Sequence, residues 1–196
     1  MINPQSPAGD DRLFSAHAIS LLRQEAARSA DTHLLRFDLP AFPGIRFYFK
    51  DESAHPTGSL KHRLARSLFL YALCNGRLSA GQAVVDASSG STAISEAWFA
   101  RLLGLPFIAV MPACTAPGKI HAVQALGALC DLVDDPAEVH QRAAWHAANG
   151  ACHLDQFGQA VAICIGDENA AEITGKLENI EAGSAIYSGG GAGHDD

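Results

Sequence analysis

The chain has 196 residues, of which 48% are hydrophobic, so it has enough length and apolar material for one ordinary globular core. Fourteen Lys and Arg against 21 Asp and Glu give a net charge of −7, which argues against a nucleic-acid-binding or anionic-membrane surface. Five cysteines without a CxxC spacing fit neither a disulfide framework nor a zinc ribbon, and we expect reduced thiols. Nine histidines without an HExxH spacing predict no metal site.

The N-terminal region shows no targeting signal. It carries Asp10 and Asp11 and lacks the basic head and apolar run of a signal peptide. The longest apolar stretches fall far short of the ~20 residues that span a bilayer. We therefore expect a cytoplasmic protein with no membrane association. Residues 1–44 are interpreted as an N-terminal arm, helical from Ala16 to Ala30 and interrupted by prolines and a glycine at 39–44.

Strands and helices alternate through residues 45–158, which we interpret as the core domain. Strands are expected at 45–50, 83–87, 106–111 and 129–133, and helices at 59–74, 92–103, 118–126 and 138–149. The Asp135-Pro136 pair, with Glu138 following, is a typical helix-start signal. Nearly continuous apolar strands that alternate with helices are typical of a parallel sheet covered on both faces. The predicted fold class is therefore α/β, with three layers.

Several local interpretations follow from this assignment. Ser59 is expected to cap the first core helix, because a serine hydroxyl can accept a hydrogen bond from a free N–H group. Trp98 and Trp145 fall on predicted helices and are expected to pack in the core. Asp51 and Glu52 are adjacent carboxylates directly after the strand predicted at 45–50, and adjacent side chains on an extended chain should point to opposite faces. This argues against a shared acid–base site.

Residues 159–196 form an atypical C-terminal segment. A helix is expected at 168–180 and a strand at 184–188, followed by a glycine cluster at 189–193. A strand that enters a glycine loop normally opens a helix, and only three residues remain here. We therefore expect the chain to end early, with an incomplete second domain.

Lys61 is the first candidate catalytic residue. The segment 56–63, with the sequence PTGSLKHR, places its amine just inside a helix start, beyond a tight turn. The positive end of the helix dipole modestly disfavours a cation there and helps to supply the neutral amine that a Schiff base requires. Taken alone, the pattern also fits an ordinary solvated lysine on a helix.

The second candidate segment is 86–97, with the sequence DASSGSTAISEA. Here a strand runs into a loop of small residues and then into a helix. Free N–H groups and hydroxyls at a helix N-terminus favour a bound carboxylate or phosphate. Ordinary capping by serine and threonine explains the same pattern, and both interpretations stay open at this point.

Together the two segments resemble the fold type II family of pyridoxal-phosphate enzymes, which contains cysteine synthase, cystathionine β-synthase and serine/threonine dehydratase. PTGSLKHR is similar to the family's P-T-G-S-x-K-x-R, and the sequence SSGST at 88–92 is similar to its S-G-N-T loop. The resemblance spans about residues 45–158 in order and spacing. The variant SSGSTA is similar to a subgroup of cysteine-desulfhydrase-like members. The fold implied is the three-layer α/β fold of the tryptophan synthase β-subunit.

The resemblance implies pyridoxal 5′-phosphate as the cofactor and a small amino acid as the substrate. Lys61 would bind the cofactor covalently and move the Cα proton. The residues that would hold the substrate carboxylate are Ser88, Ser89, Gly90 and Thr92. The other residues that would contact the cofactor are Ser91, which stands where the synthases have an asparagine, and the phosphate-loop glycines Gly189, Gly190, Gly191 and Gly193.

The implied reaction is β-elimination or β-replacement on cysteine or an O-activated serine. A complete enzyme of this kind is expected to be a homodimer. Two alternatives stay open from the residues alone. The chain could be a truncated, catalytically inactive relative that acts as a subunit or interaction module. It could also be a nucleotide-binding α/β domain that uses the terminal glycines, although no helix or ribose-binding acid follows them.

Overall fold

The computed structural model describes residues 7–159 and 184–187. The helices in this part of the chain are α1 (Pro7–Ser29), α2 (Lys61–Cys74), α3 (Ser91–Leu103), α4 (Pro117–Ala125), α5 (Val139–Ala148) and α6 (Gln156–Gln159). The strands are β1 (Leu34–Phe37), β2 (Arg46–Lys50), β3 (Val84–Ala87), β4 (Phe107–Pro112), β5 (Leu129–Val133), β6 (Cys152–His153) and β7 (Ser184–Tyr187). Short 3₁₀ turns lie at Glu52–Ala54 and Pro136–Glu138. None of the described helices has the length and apolar character needed to cross a membrane.

Four strands form a parallel sheet in the order β5-β4-β3-β6. Successive residues of a strand point to opposite faces, so Val84 and Val85 of β3 enter different cores. Val84 joins a large core formed with α1 to α4, whereas Val85 packs against Val139 and Ala143 of α5. Helices therefore cover both faces, and the predicted three-layer α/β fold is confirmed.

The helix α1 contributes to the larger core. It begins at Pro7, well before Ala16, where the sequence predicted its start. Ala18 and Leu22 are fully buried in the same cluster as Leu68 of α2. Burying a leucine side chain contributes about 1.5–3 kcal/mol, so the contact between α1 and α2 stabilises the base of the site described below.

The strand predicted at 45–50 forms as β2, but it does not join the parallel sheet. It pairs antiparallel with β1 and parallel with β7 in a separate three-stranded sheet. Only Tyr48 of β2 is buried, so this strand lacks the two covered faces that a parallel-sheet strand requires. No pattern in the sequence predicted β1, because its four residues are mostly exposed and include Arg36.

The prediction for Trp145 is wrong, because its side chain is 52% exposed. The buried residues of α5 are Val139 and Ala143, one turn apart, and a residue two positions beyond Ala143 faces away from them. Trp145 instead lies against the guanidinium of Arg142, 4.7 Å from the ring centre. Trp98 does pack against the large core, as predicted.

Helix starts differ slightly from expectation. The helix α2 begins at Lys61 rather than at Ser59, and no side chain caps it at Leu60. The Ser59 hydroxyl nevertheless accepts a hydrogen bond from the N–H of Lys61, at 3.3 Å. The Asp135 carboxylate accepts from the N–H of Ala137, at 2.9 Å, and begins the turn that leads into α5.

The C-terminal expectations are met only in part within the described residues. The strand predicted at 184–188 forms as β7. The glycine cluster at 189–193 and the helix expected at 168–180 lie outside the residues that the structure describes.

Candidate active site

The starts of two helices meet at one cavity. Lys61 is the first residue of α2, and residues 88–90 connect β3 to α3, which begins with Ser91 and Thr92. The cavity has a volume of about 620 Å³, which is within the range of small-ligand pockets. Among its lining residues are Lys61, Ser88, Ser89, Gly90, Ser91 and Thr92. The structure thus brings together every predicted site residue that it describes.

Backbone geometry at two glycines shapes this cavity. Gly58 has a φ of 71°, in the left-handed region, and its N–H donates to the carbonyl of His55, at 2.8 Å. This turn delivers the chain to Lys61. Gly90 is the N-cap residue of α3, and no side chain caps the helix there. The first N–H groups of α3 are therefore left for an anionic ligand group.

The opposite wall of the cavity was missed by sequence reasoning. It includes His140 of α5 together with Gln156 and Phe157 of α6. The Gln156 amide donates to the carbonyl of Ala87, at 3.3 Å, which ties α6 to the end of β3. The rule that ligands bind at the carboxyl ends of parallel strands locates this region. That rule does not identify the residues, because α5 and α6 reach the cavity only through tertiary packing.

Lys61 also borders a second, smaller cavity of about 260 Å³. Ser91 also lines both spaces, so Lys61 and Ser91 border the same two cavities. Glu52 is among the residues that line the smaller cavity. The site therefore combines an amine, hydroxyls and a carboxylate within a short stretch of surface.

Glu52 is occupied by a network of buried polar groups. Its carboxylate accepts from Nε of Arg63 at 2.8 Å, from Thr32 at 2.8 Å and from His55 at 2.9 Å. Although burial opposes ionisation, the hydrogen bonds from His55, Arg63 and Thr32 hold the pKa of Glu52 far below its usual range. A carboxylate held this firmly as an anion serves as an anchor for Arg63, not as a proton carrier.

The local geometry of Asp51 and Glu52 differs from the prediction. The strand ends at Lys50, and Glu52 begins a 3₁₀ turn, so the strand-face argument does not apply. Asp51 instead accepts a hydrogen bond from the N–H of Ser53, at 3.2 Å. The two carboxylates therefore have separate structural roles.

A buried carboxyl pair lies beneath the loop at 88–92. Asp86 is on β3 and Glu96 is on α3, and both are almost completely buried. Burial and the negative charge of Asp86 raise the pKa of Glu96 well above its ordinary value. Although burial opposes ionisation, the neighbouring His153 and Glu96 and a hydrogen bond from the N–H of Ala87 lower the pKa of Asp86. The opposite directions of the two shifts favour the proton on Glu96 and the negative charge on Asp86.

The family model for the pyridoxal-phosphate dependent enzyme matches residues 29–194. The α/β fold is accordingly that of a family of cofactor-dependent enzymes, and the chain belongs to the pyridoxal-phosphate dependent enzyme family. Enzymes of this family use pyridoxal phosphate, so the predicted family and cofactor are confirmed.

Curated relatives point to sulfur amino-acid enzymes. Over 154 residues the chain is 54% identical to L-cysteine desulfhydrase Cds1 of Mycobacterium tuberculosis (strain ATCC 25177 / H37Ra), covering 76% of this chain and 42% of the relative. Over 90 residues it is 39% identical to the cysteine synthase of Aquifex aeolicus (strain VF5), covering 46% and 28%. The chain thus spans less than half the length of these relatives.

Solved structures share the fold. The cysteine synthase of Entamoeba histolytica superimposes with a TM-score of 0.70 at 21% identity, covering 81% of this chain and 49% of that one. A hydrogen sulfide-producing enzyme from Fusobacterium nucleatum superimposes with a TM-score of 0.68 at 23% identity, covering 83% and 53%. At these identities the likeness shows the fold alone.

The polar groups that line the cavity fit pyridoxal phosphate. The cofactor carries an aldehyde, which a primary amine such as that of Lys61 attacks. The substrate carries a carboxylate, which suits the uncapped start of α3 and the hydroxyls of Ser88, Ser89 and Thr92. Within residues 10–159, no three His, Cys, Asp or Glu side chains are grouped so that they could hold a metal ion.

Proposed function

We propose that this chain carries the lysine and the substrate loop of an enzyme that catalyses β-elimination or β-replacement on cysteine or an O-activated serine. The observation that carries the proposal is the shared cavity, in which Lys61 and residues 88–92 line one space. The 54% identity to an L-cysteine desulfhydrase favours elimination from cysteine, and the cysteine synthase relatives favour replacement.

The residues divide the work as follows. The N–H groups at the start of α3 and the hydroxyls of Ser88, Ser89 and Thr92 bind the substrate carboxylate. Binding at Gly90 and its neighbours turns the Cα–H bond toward Lys61. The amine of Lys61 would hold the cofactor and take the Cα proton. The chemistry that pyridoxal phosphate would supply when bound is an electron sink for the pair that this proton leaves behind.

The thiolate or activated oxygen then leaves Cβ. When water completes the reaction, cysteine yields pyruvate, ammonia and sulfide. When a second nucleophile adds at Cβ, the product is a new β-substituted amino acid. His140 and Phe157 line the same cavity and would border the bound substrate during this step.

Two further groups are assigned to the cofactor. Ser91 borders the same two cavities as Lys61 and would contact the cofactor ring. The glycines Gly189, Gly190, Gly191 and Gly193 would bind the phosphate. Support for them comes from β7, which runs parallel to β2 with Tyr187 opposite Phe49. Because the two strands are parallel, β7 ends at the same edge of the sheet as β2, and from that edge the chain after β2 continues to Lys61.

Borohydride trapping tests the proposed role of Lys61. The chain is mixed with pyridoxal phosphate, its visible absorbance is recorded, and a pyridoxyl-lysine is located by peptide mapping. We expect one label, on Lys61, and none in Lys61→Ala. Lys119→Gln is the matched control, because Lys119 lines the same cavity, and it should keep the label on Lys61. A label spread over several lysines, or one retained in Lys61→Ala, would contradict the assignment.

Turnover assays then identify the reaction. Sulfide release from cysteine alone supports β-elimination, and cysteine formation from O-acetylserine with sulfide supports β-replacement. Lys61→Ala should abolish either activity. A chain that is labelled at Lys61 but turns over none of cysteine, serine and O-acetylserine would favour a catalytically inactive subunit.

We also propose that the complete enzyme is a homodimer. Exposed apolar side chains lie on and beside the sheet that contains β1 and β2, and a surface of this kind favours burial against further protein. The residues are Leu35, Phe37, Phe42, Ile45 and Phe49. The same observation favours the interaction-module alternative. Sedimentation of the chain distinguishes a dimer from a monomer, and a monomer at all concentrations would contradict the proposal.

A cytoplasmic location is proposed as well. The four cysteines within the described residues, Cys74, Cys114, Cys130 and Cys152, are free thiols, as expected in a reducing compartment. Fractionation of the native host would check this location, with recovery from an oxidising compartment as the contrary result.

A further inference from the structure

Behind Lys61, four side chains are joined by hydrogen bonds from α3 through α2 to α1. They are, in order, Ser95, Thr57, His62 and Glu25. Oγ of Ser95 lies 2.9 Å from Oγ1 of Thr57, which in turn lies 3.1 Å from Nδ1 of His62. Nε2 of His62 lies 2.8 Å from Oε1 of Glu25. Ser95, His62 and Glu25 are buried, so these groups depend on each other rather than on water for their hydrogen bonds.

The charge of Glu25 decides which ring nitrogen of His62 carries a hydrogen. Although burial opposes ionisation, hydrogen bonds from His62, Ser29 and Arg66 lower the pKa of Glu25 to about 2. Glu25 is therefore a carboxylate, which can only accept, and Nε2 of His62 must donate to it. Burial lowers the pKa of His62, so the ring is neutral at pH 7 and its Nδ1 is bare.

The bare Nδ1 sets the direction of the remaining bonds. It is an acceptor, so the Thr57 hydroxyl donates its single hydrogen to His62. Oγ1 of Thr57 is then left to accept from the hydroxyl of Ser95. All three bonds run one way, from Ser95 toward Glu25. Reversing any of them would place two acceptors, or two hydrogens, against each other while the ring stays neutral.

The ring of His62 is also held in its plane. It stacks on His55 with ring centres 5.1 Å apart and meets the edge of Trp98 at 4.9 Å. Phe99 lies 4.6 Å away, measured between ring centres. The imidazole therefore has little freedom to rotate away from Thr57 and Glu25, and its two nitrogens keep separate partners.

We propose that this one-way relay positions Lys61 against the substrate loop, an inference that rests on the proposed function of Lys61. Thr57 lies in the turn before α2, and His62 follows Lys61 in the chain. Ser95 lies on α3, one turn beyond the loop at 88–92. The relay thus connects the two helix starts that form the cavity, and Glu25 anchors them to α1. His62 is a positioning residue, because it acts through Lys61 and lines neither cavity.

Nitrogen-15 NMR of the imidazole groups tests the relay without cofactor or substrate. The His62 signals are assigned by their loss in His62→Gln. We expect a protonated Nε2 and a bare Nδ1 at pH 7. A ring protonated at Nδ1, alone or together with Nε2, would overturn the relay. Because the measurement needs no catalysis, its result stands apart from the fate of the proposed reaction.

Substitutions of Thr57 test positioning. Thr57→Val keeps the shape of the side chain but removes the hydroxyl, whereas Thr57→Ser keeps the hydroxyl. A displacement of about 1 Å at a reacting group can cost on the order of 100-fold in rate, so we expect roughly 10- to 100-fold slower pyridoxal-phosphate labelling of Lys61 in Thr57→Val. Thr57→Ser should label at close to the wild-type rate. Equal slowing in both variants would overturn the proposal.

Ser95→Ala provides the second variant in case Thr57→Val does not fold. Ser95→Ala removes only the first hydroxyl of the relay, so the labelling of Lys61 should slow less than in Thr57→Val. Ser95→Thr keeps a hydroxyl and should restore the wild-type labelling rate. His146→Gln alters a partly exposed pair between His146 of α5 and Asp131 of β5 and serves as the control, with no change in labelling expected. Thermal unfolding is measured on every variant. Variants that lose stability but label Lys61 at the wild-type rate would show a purely structural role and overturn the inference.

Discussion

Besides Glu52 with His55 and Arg63, two carboxylates in the described residues are each shared by a histidine and an arginine, and their environments differ. The members are Glu25, His62 and Arg66 in the first triad and Asp131, His146 and Arg142 in the second. The contact distances are 2.8 and 3.1 Å in the first and 2.6 and 2.7 Å in the second. Judged by distance alone, the second triad is the stronger.

Burial reverses that order. The side chain of Glu25 is 2% exposed, whereas Asp131 is 20% exposed and Arg142 is 42% exposed. Water and salt screen the second triad, and exposed pairs contribute about 0–1 kcal/mol. In the first triad the charges have lost their water, so removing one partner leaves the others uncompensated. The contribution of an ion pair to stability therefore depends on its burial more than on the distance between its atoms.

The largest expected difference between the triads comes from removing each carboxylate charge. Glu25→Gln should lower the free energy of unfolding by about 3–5 kcal/mol, because the buried side chains of His62 and Arg66 both lose a charged carboxylate. Asp131→Asn should lower it by less than about 1 kcal/mol. Urea unfolding of both variants provides the measurement. Equal losses would show that burial does not distinguish the triads.

Acid titration should show the same contrast. The pKa of Glu25 is about 2 in the folded protein, below its ordinary value of 4.5, so the unfolded chain binds the proton more readily. Its contribution to stability, about 3 kcal/mol, is therefore complete above about pH 5 and is lost as pH falls toward 2.

The measurement is the free energy of unfolding against pH, for the wild type and for Glu25→Gln. The variant should lack this part of the acid dependence, so the two curves should converge as pH falls. Parallel curves down to pH 2 would show that Glu25 is not held as an anion.

The carboxyl pair of Asp86 and Glu96 is a further buried site, and the ion-pair partner of Asp86 there is His153 rather than an arginine. The folded state raises the pKa of Glu96, so it holds the proton more tightly than the unfolded chain does. Stability is therefore lost as pH rises above the ordinary value of 4.5.

Glu96→Gln supplies an amide donor to Asp86 that does not depend on pH. It should raise the free energy of unfolding at pH 8 by about 1–2 kcal/mol, with a smaller gain at pH 5. Denaturant unfolding at both pH values checks this. The exposed Asp134→Asn is the control and should change little at either pH. If Glu96→Gln instead lowers the free energy of unfolding, keeping Glu96 protonated in the folded state does not reduce the stability of the protein.

The smallest effect concerns the surface triad alone. Arg142 donates to Asp131 and also lies over the ring of Trp145. Arg142→Gln should cost less than about 1 kcal/mol, and 1 M salt should remove most of the difference from the wild type. Thermal unfolding at low and high salt measures it. A loss that persists at high salt would indicate that stacking on Trp145, which salt does not screen, dominates this region.

Parts of the fold and site could be predicted because their signals are local. Alternation of apolar strands and helices indicated the parallel sheet, and the PTGSLKHR segment indicated Lys61. Small residues at 88–92 indicated an anion-binding helix start. Each of these signals comes from residues that are close together in the chain. Hydrophobic periodicity, helix capping and turn preferences determine local structure over such short distances.

Other parts depended on tertiary packing. Trp145 is exposed because the axial rotation of α5 turns Val139 and Ala143, not Trp145, toward the sheet. The strand at 46–50 joined a separate sheet because β1, which lacks a periodic signal, became its partner. His140 and Gln156 entered the cavity wall because α5 and α6 pack beside β3.

By itself, the sequence determined the α/β class, the resemblance to pyridoxal-phosphate enzymes and the two segments that supply the lysine and the carboxylate-binding loop. Tertiary structure alone decided that Lys61 and residues 88–92 share one cavity and that His62 links Thr57 to Glu25. The physical reason is sequence distance. Glu25 and His62 are 37 positions apart, and only the packing of α1 on α2 removes the water that would otherwise separate and weaken their contact.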